Sequence, residues 1–154
     1  MGRKPKQIVI PKDQAVFWLD KNGRWNNVHG EFQHKKIIDY FHASIKKDKD
    51  GYYLSQTTQG CKEKVYFHYE DTALFVFNVI KGEEITLVLN TGKKIKLRPK
   101  KLLMQADRLY MQVGRERIKF AEPSLLKIAE FIEHDKGHYF IRAKGRRYKI
   151  PELS

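Results

Sequence analysis

The residues best placed to do chemistry are cations. Lys93, Lys94, Lys96, Arg98, Lys100 and Lys101 form one cluster. Arg115, Arg117 and Lys119 form a second, and Arg142, Lys144, Arg146, Arg147 and Lys149 a third. Each falls on or beside a β-type segment of the second half, so the three are expected to share one anion-facing surface. Tyr110, Tyr139 and Tyr148 interleave with them, as bases stacking on a strand surface would require. The competing reading of alternating tyrosine in a half-buried strand is packing, and packing is the expectation for most of them. Trp18 and Trp25 stand in the first half as candidate cleft walls or as core. The ligand set expected from these residues is Trp18, Trp25, Lys96, Arg98, Arg117 and Tyr148.

Other reactive types do not assemble. His134 and His138 have the four-residue spacing of two metal ligands on one helical face, but Asp135-Lys136-Gly137 is expected to end a helix between them. Cys61 has one basic neighbour, Lys62, and no identifiable base, so it reads as an inert thiol. Of the paired carboxylates, Glu83-Glu84 reads as a solvated turn and Glu70-Asp71 as an anchor for a turn. Neither a nucleophile elbow nor a phosphate-cradling glycine loop is present. Catalysis is therefore not the expectation, and no cofactor or metal is implied. Any nucleotide would be held by aromatic stacking and by cationic side chains.

The elements that must position these groups are legible from periodicity. Val16 to Leu19, the turn Asn22-Gly23 and Arg24 to Val28 predict a hairpin of type I′. Ile37, Ile38, Phe41 and Ile45 recur at helical steps, with Tyr40 at the margin, predicting a helix from Lys35 to Lys47. Strands are predicted at Tyr52 to Leu54 and Lys64 to Tyr69, joined by a connection from Thr57 to Lys62. Leu74 to Ile80 is nearly all apolar and reads as a central strand buried on both faces. Lys94 to Arg98 alternates strictly, placing Ile95 and Leu97 inward and the three cations outward, until Pro99 stops it. Leu109 to Val113 and Arg117 to Phe120 are further strands. Glu122-Pro123 opens a second helix whose stripe is Leu125, Ile128, Ala129 and Ile132. A final hairpin turns at Lys144-Gly145.

The order of elements occurs twice. Trp25 to Val28 corresponds to Tyr110 to Val113, and Ile37-Ile38 to Leu125-Leu126. Gly51-Tyr52-Tyr53-Leu54 lines up with Gly137-His138-Tyr139-Phe140. The fold class expected is α+β, with two repeated lobes, each a mostly antiparallel sheet packed on one helix. The parts are a basic N-terminal arm over 1–14, a first lobe over 15–72, and a second lobe over 73–154 that carries a central β-meander. Ile8 to Ile10 could add an edge strand.

Composition bounds the setting. A chain of 154 residues buries roughly 70% of its unfolded surface on folding. The net charge of +13 predicts anionic partners: a nucleotide-type small molecule, or alternatively nucleic acid on a basic strand surface. No membrane partner is implied, because the longest apolar run, Ala73 to Val79, is far too short to span. The basic start followed by only Ile8-Val9-Ile10 is not a secretion signal, and a lone cysteine suits a reducing compartment, so the expected location is the cytoplasm.

Trp18-Leu19-Asp20-Lys21-Asn22-Gly23-Arg24-Trp25 resembles the opening of a bacterial family of unknown function, the one numbered 1285. The likeness continues through His34 to Ile45 and Lys46 to Leu54, and resumes at Glu70-Asp71 and Leu89-Asn90-Thr91-Gly92. It implies a two-lobed α+β fold with a duplicated motif, the second lobe superficially like a pleckstrin-homology domain. It also implies a ligand groove between lobes and a role in signalling. The chain departs from the pattern at Ser55 to Lys62, and in reading Thr72-Ala73-Leu74 after Glu70-Asp71, where the family carries a proline.

Overall fold

The computed structural model describes residues 6–154, and the basic residues Arg3 and Lys4 of the expected arm lie outside them. The class is α+β, as expected. The chain forms two compact units, the first ending at Ala73 and the second running over Leu74–Ser154.

In the first unit, β1 (Lys6–Ile10) is followed by the short strands β2 (Phe17–Leu19), β3 (Trp25–Asn27) and β4 (Gly30–Glu31). Then come α1 (Lys35–Ala43), β5 (Ile45–Asp48), β6 (Gly51–Thr58), β7 (Cys61–Tyr66) and β8 (His68–Tyr69). One sheet has the order β4-β3-β2-β8, with β8 parallel to β2; the other runs β1-β7-β6-β5, with β1 parallel to β7. Ile8 to Ile10 thus does form an edge strand. The core gathers around Trp25, Phe67, Leu19 and Leu54.

The second unit opens with β9 (Leu74–Ile80), β10 (Thr86–Leu89) and β11 (Lys94–Lys96). After a single 3-10 turn at Pro99–Lys101 come β12 (Leu102–Gln105), β13 (Arg108–Val113) and β14 (Glu116–Phe120). There follow α2 (Glu122–Ile128), β15 (Ile132–Asp135), β16 (His138–Ala143), β17 (Arg146–Ile150) and β18 (Glu152–Leu153). The seven-stranded sheet is β11-β10-β9-β14-β13-β12-β18, and β15-β16-β17 form a separate meander.

The repeated order is visible in the pairing. Each unit has a three-stranded meander, a helix, a second meander, and a short strand parallel to the first strand of the series: β2 with β8, and β12 with β18. Register moves one correspondence by a residue. Leu54 pairs with Ile45, and Ile141 with Ile132, so the fully buried Leu54 corresponds to Ile141 instead of Phe140. Side-chain direction has period two in a strand, so a one-residue slip would exchange core and solvent faces.

Both helices are shorter than their apolar periodicity predicts. α1 stops at Ala43, where the Ser44 hydroxyl and amide turn back onto the Tyr40 carbonyl at 2.6 and 3.0 Å. Ile45 then enters β5, and Ile37 and Tyr40 of the expected stripe are exposed. α2 ends at Ile128, passes through a 3-10 turn over Ala129–Phe131, and releases Ile132 into β15. A β-branched residue satisfies either period, and cross-strand pairing decided both cases.

Turns differ as well. Only Gly23 has positive φ (79°) in the first hairpin, where its amide donates to the Asp20 carbonyl. This is a type I turn closed by a glycine bulge, in place of the expected type I′ pair. The connection after β6 contracts to Gln59-Gly60, with φ of 47° and 75°, because pairing continues to Thr58 and Cys61. β9 is central, but only Leu74 to Val76 are buried on both faces; Phe77 and Ile80 are exposed.

Candidate ligand-binding site

A cavity of about 650 Å³ opens within the second unit. Its walls come from the turn between β9 and β10, from β11 and the segment leading to Pro99, and from the β16–β17 hairpin, with Phe131 and Val113 completing the apolar part. The sequence reading placed the ligand between lobes; this cavity is built wholly from Gly82 to Tyr148.

Local sequence explains the wall. Alternation along Lys94 to Arg98 leaves Ile95 and Leu97 half-buried and Lys94, Lys96 and Arg98 exposed, as expected. β11 is the outer strand of the sheet, so both kinds of side chain reach the cavity rim. Pro99 then forces the 3-10 turn, and the Arg98 amide donates to Met111 Sδ at 3.4 Å. Opposite, Lys144-Gly145 supplies the positive φ of a two-residue hairpin turn, 51° and 72°, and brings Lys144 to the rim.

Five cations, Lys93, Lys96, Arg98, Arg142 and Lys144, line the cavity against two carboxylates, Glu83 and Glu84. Glu84 is the organising acid. Lys144 Nζ donates to its Oε1 at 2.5 Å and Lys96 Nζ to its Oε2 at 2.8 Å. These bonds, that from Lys144 foremost, hold its carboxyl down at about 2, and the same contact raises Lys96. Arg142 is taken by Glu133. Lys93 and Arg98 have no carboxylate partner among the described residues.

Of the six residues expected at the ligand, the cavity brings together Lys96, Arg98 and Tyr148. Trp25 is corrected to core: it is 1% exposed, ringed by Phe17, Phe41 and Phe67 at centroid distances of 5.0 to 5.8 Å. Its indole N–H donates to His42 Nδ1 at 3.2 Å. Trp18 is half-buried on β2 in the first unit. Arg117 lies outside the cavity lining, bonded to Gln105 at 2.9 Å and stacked over Tyr110.

The three basic clusters do not act alike. Lys119 is 5% exposed. Arg147 lies 3.6 Å over the Phe140 ring and reaches Asp135, so much of the third cluster is neutralised. Tyr110 is buried and Tyr139 packs at a tilt against His134, both packing roles, whereas Tyr148 lines the cavity.

Sequence reasoning passed over Glu84 as a solvated turn residue. An adjacent acid pair facing lysine-rich strands was the only signal, and without the hairpin pairing it did not identify Lys144 as a partner. Glu70 does anchor a turn, accepting from the Lys21 amide at 3.1 Å. His134 and His138 lie on different strands, opposite Tyr139 and Asp135 respectively. Among the described residues no three His, Cys, Asp or Glu converge to hold a metal ion. Nor is any helix among them long and apolar enough to cross a membrane.

Two solved structures share this fold. A DUF1285 family protein from Silicibacter pomeroyi DSS-3 superposes with a TM-score of 0.61 at 13% identity, covering 95% of this chain and 82% of that one. A second DUF1285 family protein, from Shewanella baltica OS155, gives 0.51 at 17% identity, covering 75% of this chain and 91% of its own. The chain therefore has the fold of DUF1285 family proteins. No protein-family profile and no curated protein matches it.

Proposed function

We propose that this protein is a non-catalytic binding module whose second unit takes an anionic small molecule of nucleotide type in the cavity at β11 and the β16–β17 hairpin. The observation that carries the reading is the meeting of Lys93 and Arg98, two cations without a carboxylate partner among the described residues, with an apolar wall and the Tyr148 ring in about 650 Å³. Ligand pockets typically span about 300 to 1,000 Å³, mostly apolar with a few placed polar groups. Here the apolar part suits a base and the cations suit phosphate. Affinity comes from differential charge and shape, and no residue is assigned to bond-making.

A thermal-shift screen of the full chain against nucleoside mono-, di- and triphosphates at millimolar concentration tests this. Binding to the native state alone raises the melting temperature. Stabilisation by at least one nucleotide, and none by its nucleoside, is expected; no shift with any of them overturns the reading.

Exposed Lys94, Lys100 and Lys101, next to the cavity, favour one competing reading: single-stranded nucleic acid laid along this edge. It predicts affinity that falls linearly in log–log form with salt. Mobility shifts with short DNA and RNA at near-physiological salt separate the two, since the cavity reading expects no retained complex there.

A further inference from the structure

We propose that Glu84 marks the seat of the ligand's phosphate: it sits between Lys96 and Lys144 as a resident anion, and a ligand phosphate binds by displacing it. The inference rests on the cavity reading above and specifies where in that cavity the anion goes.

Two ammonium groups from separate parts of the chain converge on one carboxylate. Lys96 comes from the outer strand β11, and Lys144 from the β16–β17 turn at a backbone φ of 51°. The geometry is one oxygen to each lysine, Oε1 to Lys144 and Oε2 to Lys96. A phosphate presents three oxygens and up to two charges, so it can satisfy both lysines and still face Arg98, which lines the same cavity with no carboxylate partner among the described residues. Opening the clamp costs little. The lysine side chains are 76% and 65% exposed, and ion pairs so open to water contribute little to stability. Glu84 also stays ionised down to about pH 2, so acidification within the physiological range does not vacate the seat; an incoming anion must.

A resident competitor lowers apparent affinity by the fraction of molecules in which the seat is free. Neutralising it should tighten binding. If Glu84 were instead a scaffold that orders the two lysines for a ligand, neutralising it would weaken binding, so the two roles differ in sign.

Titration calorimetry of the full chain with ADP and with inorganic pyrophosphate, at constant ionic strength, reads this directly. Glu84→Gln is expected to bind both probes roughly tenfold tighter than the parent, and Lys144→Gln to bind them more weakly. Circular dichroism checks the fold, and Glu84→Ser removes the carboxylate by a second route if the glutamine variant misfolds. Binding by the parent that is unchanged or weakened in both Glu84 variants overturns the inference and leaves the cavity reading intact. No binding of ADP or pyrophosphate by parent or variants overturns both. Binding that emerges only in the variants supports the inference most directly.

Discussion

His42 and Trp25 show how one side chain's chemistry sets a pH limit on the first unit. His42 is 4% exposed, and burial pushes its pKa from 6.5 to about 4, against a smaller opposing pull from Asp39. Its Nδ1 accepts from the Trp25 indole, a donor-only group, so the folded state needs a neutral ring. Between pH 6.5 and 4 the unfolded chain therefore binds a proton that the native chain does not, and stability falls as pH falls through that window. From pH 6.5 to 5, where most carboxylates stay ionised, the loss should be about 1.5 kcal/mol. Urea unfolding across that interval measures it. His42→Asn keeps an acceptor for the indole and should flatten the slope; a slope unchanged by the variant would assign the effect elsewhere. Trp25→Ala removes the centre of the same cluster and should cost about 3 to 5 kcal/mol. Since Trp25 is core, Trp25→Phe should leave ADP affinity within twofold of the parent, as calorimetry on the folded variant would show.

At the scale of elements, α2 carries a liability that its sequence does not reveal. Ser124 is fully buried, and its hydroxyl has no hydrogen-bond partner among the described residues. An unpaired buried hydroxyl costs about 1 to 3 kcal/mol, and alanine is the better helix former. Ser124→Ala should therefore stabilise the protein by about 1 kcal/mol, visible as a raised denaturation midpoint with an unchanged slope. A lower midpoint would mean that the hydroxyl is satisfied.

The same helix shows what was readable beforehand and what was not. Pro123 and Glu122 gave its start, because the missing amide and the acid both suit a first turn. Its end was not readable, since Ile132 fits a helical stripe and a strand equally well until Ile141 is opposite it. Alternation at Lys94 to Arg98 was legible for a similar reason turned round: five residues of strict period two admit one interpretation. Lys96, Arg98 and Tyr148 could be picked out as charged or aromatic strand residues. That Lys144 meets Lys96 on Glu84 depends on a pairing sixty residues apart, and nothing local encodes it.

For the molecule as a whole, the question is whether its charge acts as a field or as a site. The excess of cations is carried mostly after residue 92, where several cations are nonetheless paired: Arg142 and Arg147 with Glu133 and Asp135, and Lys96 and Lys144 together with the single Glu84. Under the proposed function, net charge would govern how fast anions arrive and the cavity which of them stay. Arg98 and Arg117 separate these contributions, because they carry equal charge in the same unit and differ in position. Arg98 lines the cavity without a carboxylate partner among the described residues; Arg117 is occupied with Gln105 and Tyr110 outside it. Arg98→Ala should weaken ADP binding roughly tenfold, the loss of one charge-assisted contact. Arg117→Ala should leave the affinity within twofold of the parent and change only the salt dependence of association. Calorimetry at two ionic strengths distinguishes the cases. Equal weakening by both substitutions, growing as salt is lowered, would mean that a diffuse basic surface binds the anion and that the cavity does not select it.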